Sequence, residues 1–131
     1  MEFVNVLAAA AASYAFGAIW YGTMSKPWLA ASGVEVDENG KPANASNPTP
    51  YIISLIAAII VAGMMRHIFQ LAGIDTVSKG LVSGFGLGCF LVSPWIATNY
   101  AFSDRPRNLF LIDGTYATVG CTIMGLVLTL F

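Results

Sequence analysis

The chain has 131 residues, of which 56% are hydrophobic and only 10% are charged, and its formal net charge is -1. Soluble domains carry about 25% charged residues, so this composition argues against a water-soluble domain and predicts an integral membrane protein. A nearly neutral chain lacks the positive electrostatic potential that attracts nucleic acid, so no nucleic-acid partner is expected.

The first apolar run, residues 3–23, is long enough for a membrane-spanning helix, which needs roughly 20 residues. It runs into the stretch GAIWYGTMSKPW (residues 17–28), which places Trp20, Tyr21 and Trp28 beside a lysine. Aromatic rings and cations are typical of the membrane–water interface. The run has no basic segment before it, so we expect a retained span rather than a cleaved signal peptide.

The polar segment 25–49 follows and is the only long connection in the chain. Its first part, SKPWLAASG, predicts a short helix at the membrane surface. Its second part, VDENGKPANASNPTP, is rich in Pro, Gly and Asn, which predicts turns.

The second span covers residues 51–71, with Pro50 at its start and Gly73 just beyond its end. Arg66 lies near the far end of this span and is most simply a cation that extends its charge to the interface. The adjacent His67 is interpreted as an interfacial histidine rather than a ligand.

The third span covers residues 77–102, and Asp75 is expected to cap its start. Gly80, Gly84 and Gly88 recur every fourth residue, so they share one helix face and permit close helix packing. Two alternatives stay open for this face, namely packing within the chain's own bundle and a contact between copies of the chain. Farther along the span, a proline at position 94 predicts a kink in the helix.

The fourth span covers residues 109–131. Short connections on either side of the third span require antiparallel neighbours. The sequence therefore predicts an all-α integral membrane four-helix bundle that forms a single transmembrane domain over residues 1–131.

Ionisable residues within membrane spans are costly, which makes them the best candidates for functional groups. Asp113 lies in the fourth span, at the same membrane face as Trp20 and Tyr21 of the first span and Trp95 and Asn99 of the third. We predict a polar site from these five residues. It is either a structural belt around the carboxylate or a site for a small cation or polar solute.

Chemical motifs are otherwise scarce. Cys89 and Cys121 lie in apolar runs without metal-ligand or redox spacing, so they are interpreted as packing residues and no metal or cofactor is expected. None of the common hydrolase, zinc or phosphate-loop motifs occurs, and an enzyme is not expected.

Two stretches resemble a known family. The sequence GAIWYGTMSKPW resembles the end of the first span in the domain of unknown function 1761 family of small bacterial membrane proteins, and LFLIDGTYATVGCTIMG resembles the family's last span. The four-span layout is similar along the whole chain. The resemblance implies a four-helix protein of the bacterial inner membrane, without an assigned activity; at the place of Asp113 the family often has a neutral polar residue.

Two functional hypotheses follow from the sequence. The first is a protein that acts by helix association, as a homo-oligomer or as an accessory subunit of a membrane complex. The alternative is an oligomeric carrier or channel for a small solute or ion that uses Asp113. Four of the six Lys and Arg residues flank the face of the first loop, which favours a cytoplasmic position for that loop.

Overall fold

A computed structural model describes residues 2–131 of the chain. Its helices are α1 (Glu2–Thr23), α2 (Ser25–Ser32), α3 (Thr49–Ala72), α4 (Val77–Leu87), α5 (Ser93–Phe102) and α6 (Arg107–Leu130). A π-helical turn, Gly88–Val92, joins α4 to α5, so Val77–Phe102 forms one continuous helix. Four helices are thus long and apolar enough to cross a membrane, which confirms the predicted all-α membrane bundle.

Helix α6 lies at the centre of the bundle. It packs against α1, against α3 and along the whole third span, whereas α3 packs mainly on α1. Contacts between α1 and α6 show that they run antiparallel, because Asn5 reaches the backbone oxygen of Phe131 while Trp20 reaches that of Ile112. Every other long helix is therefore positioned by its contact with α6 or α1.

The buried core lies where α1, α3 and α6 meet. Alanines on α1 and α3 let the backbones approach closely, and larger side chains of α3 and α6 fill the remaining space. The core consists of Ala9, Ala10, Ala58, Ala62, Met65, Phe69, Cys121, Met124 and Leu128. Many large apolar side chains outside this core are exposed, as expected for helices that face lipid.

The glycine face of the third span packs against α6. A Cβ atom added at Gly84 would collide with the backbone oxygen of Cys121, and one added at Gly80 would collide with that of Gly125. Gly88 is equally close to the α6 backbone. Of the two alternatives for this face, the structure shows packing within the chain's own bundle.

The tight connection between α3 and α4 has well-formed helix ends. Gly73 adopts a left-handed conformation with φ of 68°, and its N–H donates to the carbonyl of Phe69. The N-terminal cap of α4 is Thr76, whose hydroxyl accepts from the Lys79 N–H at 3.3 Å. The expectation that Asp75 caps this helix is therefore wrong, since its carboxylate pairs with the Lys79 side chain instead.

The segment 33–48 folds back on itself through turns, as its composition predicts. An isolated antiparallel bridge joins Val36 to Pro42, and Gly40 occupies a left-handed position with φ of 77°. The Asp37 carboxylate accepts backbone N–H groups of the same turn.

Candidate functional site

The Asp113 carboxylate is the centre of a hydrogen-bond network that joins four helices. One oxygen, Oδ1, accepts from the Tyr21 hydroxyl at 2.5 Å and from Trp28 Nε1 at 3.2 Å, and the other, Oδ2, accepts from the Tyr100 hydroxyl. These donors come from α1, α2 and α5, while Asp113 belongs to α6. We call these four residues the Asp113 network. Since hydrogen bonds to a charged acceptor are stronger than neutral ones, the network ties the four helices together at this membrane face.

Aromatic rings surround the network on the α1 side. Tyr21 makes edge-to-face contacts with Trp28 and Tyr116, at ring-centroid distances of 6.1 and 5.2 Å. Trp20 donates its indole N–H to the carbonyl of Ile112 at 3.0 Å. These contacts fix the rotation of α1 relative to α6.

The short helix α2 is anchored at its middle and at its last residue. Trp28 donates to Asp113, and the Arg105 guanidinium donates to the carbonyl of Ser32 at 2.7 Å. Gly33 ends the helix in a left-handed conformation with φ of 75°. The surface segment expected from the sequence is thus part of the bundle, and it covers Asp113 from the loop side.

The family model described as protein of unknown function (DUF1761) matches residues 4–129. The chain belongs to this family. The match spans all four membrane helices and confirms the resemblance found in the sequence. No curated protein and no solved structure matches the chain.

The five residues predicted for a polar site of this DUF1761 protein divide into two groups. Tyr21 bonds to Asp113 directly, and Trp20 bonds to the residue before it. Trp95 and Asn99 lie on the exposed surface of α5, and the structure does not bring them to the carboxylate.

Trp28 and Tyr100 also donate to the carboxylate but are not among the five predicted site residues. Both are aromatic residues that the sequence places near the same membrane face as Asp113. The π-helical turn explains why Tyr100, and not its neighbours, faces α6. Along a regular α-helix, the glycine face would continue from Gly88 to Trp95 and Asn99, at intervals of seven and eleven residues.

In the structure, the Ser93 N–H donates to the carbonyl of Gly88, five residues earlier, so the turn contains one extra residue. That residue rotates the rest of the helix and brings Ser93 and Tyr100 onto the α6 side. Ser93 Oγ lies 3.2 Å from the carbonyl oxygen of Gly114 and 3.2 Å from the Thr118 hydroxyl. The next residue, Pro94, cannot make a backbone donor bond, and the wider turn accommodates it.

A second polar cluster lies at the opposite membrane face. Asn5 is buried, with 1% of its surface exposed, and its amide group donates to three backbone oxygens at the end of α6, those of Val127, Leu128 and Phe131. Its side-chain oxygen accepts from Arg66 Nη1 at 3.3 Å. Because the last carbonyls of a helix have no partner within the helix, Asn5 satisfies groups that would otherwise be left unpaired.

The Asp113 carboxylate already accepts three hydrogen bonds from within the chain. Both carboxylate oxygens accept hydrogen bonds from other helices. Such an arrangement stabilises a particular packing of helices. A solute that bound the carboxylate would compete with the tyrosines and Trp28 for its oxygens.

Proposed function

We propose that this protein acts by association within the membrane, as a homo-oligomer or as an accessory subunit of a larger membrane complex. The observation that supports the proposal is Gly86 on the third span. A Cβ added at this position would meet nothing within 4 Å, in contrast to the crowded glycines at positions 80, 84 and 88.

A glycine in the middle of a helix costs roughly 1 kcal/mol relative to alanine. Gly86 obtains no packing within the chain in return for that cost. In membranes, small residues on a helix surface allow another helix to approach closely. Val82 and Phe90, which lie one turn away on either side, are exposed and offer apolar contact to such a neighbour.

The test compares two glycines that both face open space. Gly86→Leu adds a side chain on the third span, and Gly22→Leu adds the same side chain at the end of α1. We expect native mass spectrometry and cross-linking in mild detergent to show an assembly for the wild type and for Gly22→Leu, and its loss in Gly86→Leu. Mass multiples of the chain itself would indicate a homo-oligomer, and a different added mass would indicate a partner subunit.

A wild-type protein that is strictly monomeric in detergent and in lipid nanodiscs, without a co-purifying subunit, would contradict the proposal. So would an assembly that Gly86→Leu leaves intact. Thermal unfolding of each variant shows whether the bundle itself remains folded.

Transport through Asp113 is the alternative, and the Asp113 network favours association over it. A permeating solute would have to compete with Tyr21, Trp28 and Tyr100 for the carboxylate. If the wild type transports a solute in proteoliposomes and Asp113→Asn abolishes that flux, transport would replace association as the better hypothesis.

The family resemblance favours the inner membrane of a bacterium as the location. The charge bias favours a cytoplasmic position for the segment that carries α2, and therefore for the Asp113 network. Reporter fusions after residues 40 and 74 would test this orientation, since the two connections must report opposite sides of the membrane.

A further inference from the structure

A cleft of about 400 Å³ lies at the membrane face opposite the Asp113 network. It is formed by the end of α3, the connection to α4 and the end of α6, and its polar lining comes from Arg66, Gln70, Asp75 and Thr129. Its volume falls within the range of about 300–1,000 Å³ that is typical of small-molecule sites. We call it the Arg66 cleft.

Arg66 contributes a positive charge without a negative partner. Its Nη1 donates to two neutral oxygens, Asn5 Oδ1 at 3.3 Å and the Leu128 carbonyl at 3.5 Å. Its Nε is buried and has no hydrogen-bond partner. Among residues 2–131 the ion pair found is Lys79 with Asp75, at 3.0 Å, so no described carboxylate lies within ion-pairing distance of Arg66.

The two acidic groups near the cleft are already engaged. Asp75 is held by Lys79, and Glu2 accepts a hydrogen bond from Gln70 Nε2 at 2.9 Å. Among residues 2–131, the Arg66 guanidinium, with its five donor hydrogens, is thus a cation at this face without an anionic partner. An unpaired charge at this depth is costly, so an anion from outside the chain would stabilise it.

The position of Arg66 favours a phosphate as that anion. Arg66 lies six residues before the end of α3, which ends at Ala72, or about 9 Å along the helix axis. A side chain at this depth extends to the headgroup region. The planar guanidinium matches the geometry of two phosphate oxygens, and it binds phosphate more specifically than a lysine does.

We propose that the Arg66 cleft binds a phosphate group, supplied by a phospholipid headgroup of the adjacent leaflet or by free phosphate. The guanidinium donates to the phosphate oxygens, and Asn5 of α1 holds the guanidinium in place. Gln70 and Thr129 offer further polar contacts to the rest of a headgroup.

The experiment uses the full chain, purified in mild detergent, with three probes. These are phosphatidylglycerol, a diacylglycerol with the same acyl chains but no phosphate, and inorganic phosphate. Native mass spectrometry measures retained lipid, and thermal unfolding measures the shift that each probe produces. We expect phosphatidylglycerol to be retained and to raise the unfolding temperature, and diacylglycerol to do neither.

Arg66→Gln is expected to lower retention of phosphatidylglycerol at least about tenfold, the effect of losing charge-assisted hydrogen bonds. The matched control is Arg107→Gln, which removes the same charge at the other membrane face and should leave retention unchanged. If inorganic phosphate alone stabilises the wild type but not Arg66→Gln, and lipid has no effect, free phosphate is the natural source of the anion.

Equal retention by the wild type and Arg66→Gln would overturn the proposal, and so would equal retention of diacylglycerol and phosphatidylglycerol without any effect of inorganic phosphate. If Arg66→Gln fails to fold, Arg66→Lys replaces it as the test. The lysine keeps the charge but loses the planar donor pair, so retention several-fold below wild type supports the proposal, and wild-type retention contradicts it.

Discussion

The two polar clusters of this bundle lie at opposite membrane faces and satisfy their charges in different ways. At one face the Asp113 carboxylate receives donors from three other helices. At the other face the Arg66 guanidinium meets only neutral oxygens, and its Nε has no partner. Hydrogen bonds within the fold engage both oxygens of the first group, whereas the second group still has donors available for a ligand.

This difference separates two uses of an ionisable group in a membrane protein. A charge that is fully hydrogen-bonded by neighbouring helices acts as a connection between them, and its removal should weaken the fold. A charge that lacks an internal partner weakens the fold less when it is removed, but its loss changes what the protein binds. The predictions below test whether the two clusters really differ in this manner.

The largest effect is expected for Asp113→Ala. The substitution leaves the Tyr21, Tyr100 and Trp28 donors without their acceptor, and hydrogen bonds in membrane bundles contribute about 0.6–1.7 kcal/mol each. We therefore expect a loss of about 2–4 kcal/mol of unfolding free energy, measured by reversible unfolding in mixed micelles.

The control for this change is Trp95→Leu. Trp95 was placed with Asp113 by sequence reasoning, yet 66% of its surface is exposed, and the donors to Asp113 are Tyr21, Trp28 and Tyr100 instead. Its replacement should leave stability nearly unchanged. A larger loss for Trp95→Leu than for Asp113→Ala would mean that the network does not hold the helices together.

Asn5→Ala should have the next largest effect, about 1–2 kcal/mol. The buried Asn5 amide donates to carbonyls at the end of α6, and without it these carbonyls lose their donor. The matched control, Asn99→Ala, removes the same group from an exposed position on α5. If both variants lose equal stability, capping by Asn5 contributes nothing measurable.

Tyr100→Phe should cost about 1 kcal/mol, because it removes one donor to Asp113 and keeps the ring. A double-mutant cycle isolates that bond. In an Asp113→Ala background the same substitution should have almost no effect, since the acceptor is already gone. Strictly additive losses would show that the Tyr100 hydroxyl does not stabilise the bundle through Asp113.

Tyr100 also shows how far the sequence predicts this structure. The four spans, the position of the glycine face and the membrane depth of Asp113 follow from apolar length and helical periodicity, which depend on local sequence. The choice of Tyr100 over Asn99 depends on one extra residue in the turn Gly88–Val92. Periodicity assumes a regular helix, so a single π-helical turn shifts every later prediction of which side chain faces inward.

Asn5 illustrates a second kind of limit. An asparagine near the start of an apolar run gives no local indication of its partners, which lie at the end of α6, more than 120 residues away. The burial of Asn5 follows from the antiparallel docking of α1 on α6 and is known only once that packing is known. The same docking brings Arg66 to the end of α6, where the sequence alone suggested a cation extended to the interface.

The smallest effect is expected for Asp75→Asn, and it tests whether Arg66 has a hidden internal partner. The Lys79 ammonium donates to the exposed Asp75 carboxylate and attracts it, which lowers the pKa of that carboxyl. A lowered pKa in the folded state stabilises the protein above the ordinary carboxyl pKa of about 3.9, and this contribution disappears as the pH falls through the folded-state value. The wild type should thus exceed Asp75→Asn only slightly in stability near neutral pH, and the difference should vanish in acid.

High salt should abolish the same difference at neutral pH, because both partners are exposed to solvent. Suppose that Asp75→Asn instead lowers the unfolding free energy strongly, that salt does not reduce this effect, and that phosphatidylglycerol retention falls as well. This result would show that Asp75 acts on Arg66. Asp75 would then be the anionic partner of Arg66 within the chain, and the contrast between the two membrane faces would no longer hold.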